Sequence, residues 1–197
     1  MTQKLGIEEA LDIAMDAELK AQAFYAQAAV EVQDPGGRDL LARLAAFEQH
    51  HYQKLSELAQ SLQKDGRFIP YEARTLEQFA PVALNVPGAQ GPVLRSTASA
   101  VWLTGTGGAG TGAAGGSLLA RFKDVPGILS AAIDKEKDAG ERYQALAEEA
   151  TTAGSADGQA MFRTLANEEM IHQRVLEDEF FSLSNRGVWG WSGMYGE

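Results

Sequence analysis

The sequence predicts an all-α protein in which two similar helix hairpins pack into a four-helix bundle. Three observations support this fold class. Four segments place apolar residues at alternating spacings of three and four, as the buried face of an amphipathic helix requires. Turn-forming residues divide the first pair of segments at 34–37 and the second pair at 154–157. The second pair also repeats the first in outline, so the two hairpins are expected to be related and to share one core.

The first helix is expected at about 7–32. Its apolar seam is interrupted by two polar side chains, Glu18 and Tyr25. An ionised carboxylate in the middle of a buried face is costly unless it is paired or bound to a metal. Glu18 therefore needs a partner from another helix.

The second helix is expected at about 38–64. It follows the turn at 34–37, which favours an antiparallel neighbour. Glu48 and His51 both fall in its apolar seam, one turn apart on the same face. His50 points about 100° away from His51, so it is expected at the surface or beside the ligands rather than among them.

The long segment 66–125 is expected to be the crossover connection that lets the second hairpin pack against the first. Prolines interrupt it repeatedly, and residues 105–116 are a low-complexity Gly/Ala/Thr run that is expected to form a flexible surface loop. This run matches the pattern G-x-G-x-x-G twice. Because no βαβ unit surrounds the matches, they do not indicate a nucleotide site.

The third and fourth helices are expected at about 127–151 and 156–184. An aromatic tail at 185–197 follows them and is expected to pack on the bundle or on a second subunit, which leaves a homodimer open. At a length of 197 residues, these elements are expected to form a single domain.

The polar residues of the second half repeat those of the first. Glu136 and, seven residues later, Tyr143 interrupt the seam of the third helix in the same order and spacing as their counterparts on the first helix. The fourth helix repeats the pattern Leu-Ala-x-x-Glu-x-x-His of the second helix, with Glu169 and His172 in its seam.

These polar side chains predict a metal pair. One Glu-x-x-His pair is a weak signal, because such pairs are common on solvated helix faces. Two pairs in equivalent apolar seams, joined by two further buried glutamates, are a strong one. Carboxylates and imidazoles suit iron or manganese, with zinc as a further option. The expected ligands are Glu18, Glu48, His51, Glu136, Glu169 and His172. Tyr25 and Tyr143 either donate hydrogen bonds to ligating glutamates or simply fill the seam.

Composition excludes several other classes of function. The formal net charge of -10 argues against nucleic acid or an anionic membrane surface as a partner. The absence of cysteine excludes disulfides, thiolate zinc sites, iron–sulfur clusters and thiol catalysis. No apolar run approaches the length of a membrane span, which is about 20 residues, and no signal peptide is evident. We therefore expect a cytoplasmic protein.

The ligand pattern resembles that of ferritin-like carboxylate-bridged di-iron proteins, and the motifs are most similar to their rubrerythrin branch. The resemblance covers the four helices and not the crossover connection. It implies a ferritin-like bundle that holds two iron ions per chain on the six ligands named above, with no catalytic residue beyond them. The implied activity is reduction of H2O2 or O2, as a peroxidase or a ferroxidase active in oxidative stress.

Two departures from the rubrerythrin pattern bear on function. Rubrerythrins proper carry a cysteine-bound iron site, and a chain without cysteine resembles the shorter, erythrin-like members, which need a separate electron-donor protein. Many rubrerythrins also carry an extra glutamate one turn after the third-helix ligand, where this chain has Ala139. The alternative function is therefore a non-catalytic bundle that binds iron, manganese or zinc, or a structural subunit. A weaker third option is an oxygenase that acts on an organic substrate.

Overall fold

The computed structural model describes residues 7–79 and 117–191. Within these ranges the chain forms helices and no strand, which confirms the all-α prediction. Four long helices lie within three residues of the expected bounds. The elements in order are α1 (Ile7–Glu31), α2 (Pro35–Asp65), a short 3₁₀ helix (Leu76–Gln78), α3 (Leu118–Phe122), α4 (Val125–Thr152) and α5 (Ala156–Arg186).

Capping side chains set where the long helices begin. The carboxylate of Asp34 accepts a hydrogen bond from the amide of Gly37, and Pro35 occupies the first helical position of α2. Proline is favoured there because its missing N–H has no partner inside the helix. The helix therefore starts three residues earlier than the expected residue 38. Residues 35–37, which were expected to belong to the turn between the helices, form the first turn of α2 instead. Asp124 caps α4 in the same way through the amide of Gly127.

The four long helices form two hairpins, because α1 packs mainly on α2 and α4 mainly on α5. The hairpins meet along α1 and α4. The short helix α3 contacts these same two helices, so the end of the crossover connection lies against the bundle.

Two apolar clusters fill the bundle, one toward each end. The first cluster includes Phe24, Leu44, Phe47, Leu129 and Leu176. The second cluster comprises other parts of the same four helices and includes Leu11, Leu55, Leu58, Phe162 and Leu165. Burial of each such side chain contributes about 1.5–3 kcal/mol. The middle of all four helices lies between the clusters and is shielded from water at both ends.

The first part of the aromatic tail packs on its own bundle. Trp189 and Trp191 are partly buried against the first cluster. The indole of Trp191 donates to Asp39, and the carboxylate of Glu179 accepts from the amide of Gly190 at 2.8 Å. The rest of the tail, from residue 192, lies outside the described residues, as do the glycine-rich run 105–116 and its G-x-G-x-x-G matches.

None of the helices in the described part of the chain has the length and apolar character needed to cross a bilayer.

Candidate metal centre

Four glutamates and two histidines meet in the middle of the bundle, between the two apolar clusters. Each of the four long helices contributes to this group, and every member has 2% or less of its surface exposed. The members are Glu18 from α1, Glu48 and His51 from α2, Glu136 from α4, and Glu169 and His172 from α5. These are the six residues that the sequence predicts as ligands; the structure brings them together, and their role as ligands remains a prediction.

The first of two overlapping groups surrounds His51. Its Nδ1 atom lies 2.9 Å from Glu169 Oε1, 3.5 Å from Glu48 Oε2 and 3.9 Å from Glu18 Oε2. We call this set of four residues the His51 position.

The second group surrounds His172 in the same manner. Its Nδ1 atom lies 3.3 Å from both Glu136 Oε2 and Glu169 Oε2, and 3.7 Å from Glu48 Oε1. We call this set the His172 position. Glu48 and Glu169 belong to both positions and face each histidine with a different oxygen, which is the arrangement expected of bridging carboxylates.

The spacing of these atoms suits metal ions. In each position the four candidate ligand atoms lie within 4.8 Å of one another. Ligand atoms on opposite sides of an ion, each at about 2.1 Å, are about 4.2 Å apart. Small side-chain shifts therefore suffice to close either position on one cation.

Unsatisfied polar atoms provide a second test of the fit. Six buried side-chain atoms of the cluster have no hydrogen-bond partner: Glu48 Oε1, His51 Nδ1, Glu136 Oε2, both carboxylate oxygens of Glu169, and His172 Nδ1. A buried polar atom without a partner costs about 1–3 kcal/mol. Such atoms all converge on the two positions, so cations bound there would satisfy them, and the donor set fits a pair of divalent ions such as iron or manganese.

The pKa values of the cluster without metal also indicate that the site suits divalent cations. Burial, and next the charge of Glu169, raise the pKa values of Glu18, Glu48 and Glu136. Burial alone would lower the pKa of His51, but the carboxylates around it raise that pKa well above its usual range. The metal-free cluster therefore holds protons where cations would otherwise balance the charge, and metal binding is expected to release them.

The two seam tyrosines donate hydrogen bonds across the bundle to candidate ligands. Tyr25 on α1 donates to Glu136 on α4, and Tyr143 on α4 donates to Glu18 on α1. Both rings are also fully buried. Of the two roles that the sequence left open, the tyrosines thus fill the seam and orient a carboxylate as well.

His50 lies outside the cluster, as its position on the helix predicts. Its half-buried ring faces Tyr71 and Phe79, with ring centroids 6.0 and 5.4 Å away. Burial lowers the pKa of His50 to about 4. It belongs to neither candidate position.

Sequence reasoning missed Glu168, a further buried carboxylate. Only 2% of its surface is exposed. Its Oε2 atom accepts from the Nε2 of His51 at 3.0 Å and from the hydroxyl of Tyr71 at 2.7 Å, and its Oε1 atom accepts from the amide of Arg74. The repeat contains a signal that could have found it, because the matching residue of the first half is the buried Phe47.

A narrow opening between α1 and α4 leads from the surface to the carboxylates. Its lining combines four cluster glutamates with small residues, among them Ala139, and with charged residues that include Lys20, Lys135 and Arg142. The opening thus reaches four glutamates of the cluster. Ala139 brings no carboxylate to its lining, whereas the neighbouring Asp138 does.

Comparison with known proteins identifies the family. The sequence model described as Rubrerythrin matches residues 1–59 and 127–185, which together make up more than half of the chain and contain all six clustered residues. Neither a curated protein nor a solved structure matches the chain.

Proposed function

The chain belongs to the rubrerythrin family, and from that premise we propose that it is a di-iron oxidoreductase that reduces H2O2 or O2. The observation that carries the proposal is the pair of positions that share Glu48 and Glu169. Two adjacent positions matter because cleavage of an O–O bond takes two electrons. Two bound ferrous ions would supply one electron each, and with two protons H2O2 would become two water molecules.

The chain's own residues would prepare the site in three ways. The tyrosine hydroxyls hold Glu18 and Glu136 in place, which limits the movement of one terminal carboxylate at each position. The two apolar clusters exclude water from either end of the site. The opening beside Ala139 would admit an oxidant as small as H2O2 or O2.

The electrons would come from a separate protein. The chain has no cysteine and hence no thiolate-bound iron site of its own. We propose that an electron-donor protein docks on the bundle and reduces the iron pair again after each turnover.

Anaerobic loading with Fe(II) tests the proposal. The metal-free protein is titrated with Fe(II), bound iron is counted per chain, and near-ultraviolet absorption of Fe(III) is followed after addition of H2O2 or, separately, of air. We expect two iron ions per chain and rapid oxidation. The faster oxidant decides between peroxidase and ferroxidase activity. Protein that binds no iron, or that binds it without reacting faster than free Fe(II), would overturn the proposal.

A second candidate function is metal binding without turnover, in a storage or structural role. Ala139 favours it, because an alanine stands where many rubrerythrins carry an extra glutamate. Tightly held zinc in protein purified without added metal, together with no oxidation of the iron-loaded form, would support this function.

A further inference from the structure

The two candidate positions contain the same types of residue and differ in the side chains that contact each imidazole from outside. Each position consists of three glutamates and one histidine, and shares two of those glutamates with the other. Each also has one glutamate that accepts a hydrogen bond from a tyrosine of the opposite hairpin. A difference in metal affinity between the two positions is therefore expected to come from residues outside these six.

That difference lies in the residue directly before each glutamate of the Glu-x-x-His pairs. On α5 this residue is Glu168, which accepts the Nε2–H of His51 at 3.0 Å. On α2 it is Phe47, whose ring packs edge-on against both His172 and His51, with ring centroids 4.3 and 5.0 Å apart. Both imidazoles thus contact the Phe47 ring, and the Glu168 carboxylate on the Nε2 atom of His51 is what distinguishes them.

Glu168 is itself held firmly in place. The Tyr71 hydroxyl and the Arg74 amide, both from the segment that follows α2, donate to the same carboxylate. Because these donors hold both of its oxygens, the carboxylate cannot turn away from His51 without losing two further hydrogen bonds. The start of the crossover connection therefore holds the carboxylate that accepts from the imidazole of the His51 position.

From these contacts we infer that the two positions are inequivalent, and that Glu168 makes the His51 position the tighter metal site. The inference rests on the proposed metal site. A carboxylate that accepts the N–H of a ligating imidazole fixes its tautomer and orientation and makes its other nitrogen a better donor. Glu168 also adds a negative charge close to that position. Phe47 does neither for the His172 position, where the second ion is therefore held less tightly and exchanges more readily.

Titration with Mn(II) alone tests this inference, with free Mn(II) measured from its electron paramagnetic resonance signal. The experiment involves no redox step, so its result does not depend on turnover. Repulsion between two bound cations would separate the binding steps even at equivalent positions. The affinities for Mn(II) are therefore compared in variants that keep a single intact position. His172→Ala retains the His51 position, and His51→Ala retains the His172 position.

We expect the His172→Ala variant to bind one Mn(II) at least about tenfold more tightly than the His51→Ala variant does. Adding Glu168→Gln should weaken binding about 10–100-fold in the His172→Ala background, the usual cost of losing such a partner. In the His51→Ala background, Glu168→Gln should leave the affinity for Mn(II) unchanged. Damage to the fold would weaken both backgrounds equally, so the contrast between them isolates the role of Glu168 as a positioning residue.

Glu179→Gln is the matched control, because Glu179 is another buried carboxylate of α5 that accepts a backbone amide, about two helical turns beyond His172. Equal affinities in the two single-histidine variants, or an equal effect of Glu168→Gln in both, would overturn the inference and leave the proposed function standing. Absence of any Mn(II) binding by the unaltered protein would overturn the metal site and the inference together. Normal binding with no reaction of the iron-loaded protein would count against the proposed redox function alone.

Discussion

Tyr143 donates a hydrogen bond to Glu18 across the bundle, although the two residues are 125 positions apart in the sequence. The mirror-image bond joins Tyr25 to Glu136. Each hairpin thus supplies the hydroxyl that holds a carboxylate of the other. The bonds place two direct links between α1 and α4, the helices along which the hairpins meet.

We expect Tyr143→Phe to lower the free energy of unfolding of the metal-free protein by about 1–3 kcal/mol. The phenyl ring still fills the buried site, but the buried carboxyl group of Glu18 loses its hydrogen-bond donor, and an unsatisfied buried polar group costs about this much. Urea unfolding followed by circular dichroism measures the change. Tyr52→Phe, at a partly exposed position of α2, is the control and should have little effect. A similar loss in both variants would mean that the cross-bundle bond contributes nothing specific.

The three histidines are expected to differ in their effect on metal binding. His51→Ala and His172→Ala should each reduce the iron bound from two ions per chain to about one, because each removes the only imidazole of one position. His50→Ala should leave both ions in place, since its ring faces Tyr71 and Phe79 instead. Metal analysis after gel filtration of Fe(II)-loaded protein measures the stoichiometry. Loss of an ion in His50→Ala would contradict the assignment of which histidine faces inward.

The arrangement of these histidines follows from local rules that the sequence displays. A residue's angular position on a helix fixes the face on which it lies, so the seams of α1, α2, α4 and α5 suffice to place six polar side chains in the middle of the bundle. Residues 7–32 could therefore be predicted as a helix with Glu18 facing inward before any contact was known. The repeat between the halves then indicates that the four seams converge.

Tertiary contacts account for what could not be predicted. Glu168 lies beside a seam residue, where a charged side chain is normally solvated, and hydrogen bonds from Tyr71 and Arg74 hold it in a buried place instead. These donors come from an irregular segment whose path no periodicity reveals. The early start of α2 depends on whether Pro35 takes the first helical position or a turn position, and its identity is compatible with both.

Glu31 is expected to make stability depend on pH at the junction of α1 and α3. Burial would raise its pKa, but the amides of Leu119 and Leu118 and the hydroxyl of Ser117 outweigh that effect and lower it to about 2. Since the folded pKa lies below the unfolded value, the carboxylate stabilises the fold above about pH 4.5. This contribution fades as the pH falls toward 2.

Glu31→Gln tests this expectation. We expect it to cost about 1 kcal/mol at pH 7, because solvent screens a carboxylate that is only partly buried, and progressively less between about pH 4.5 and 2. Urea unfolding of both proteins at several pH values measures the difference. A cost that stayed constant down to pH 3 would show that the ionised carboxylate is not what matters, and that the change of side chain alone destabilises the junction.

Gly37 at the start of α2 is expected to tolerate no larger side chain, because Trp189 of the tail occupies the space beside it. A Cβ atom at this position would lie 2.4 Å from the indole ring carbons Cε2 and Cζ2. Gly37→Ala should therefore displace Trp189 toward solvent, shift tryptophan fluorescence to longer wavelength, and cost about 1–3 kcal/mol as overpacking does.

Gly140→Ala provides the control on α4, since its Cβ would meet only ordinary contacts, at 3.7 Å and beyond. Replacing a glycine inside a helix by alanine without a clash is expected to stabilise the protein by about 0.5–1 kcal/mol. The two substitutions are chemically identical and both lie in helices, so opposite signs in thermal or urea unfolding would isolate the contact with Trp189. An unchanged fluorescence maximum in Gly37→Ala, with stability raised as in Gly140→Ala, would mean that the tail does not pack on this end of the bundle.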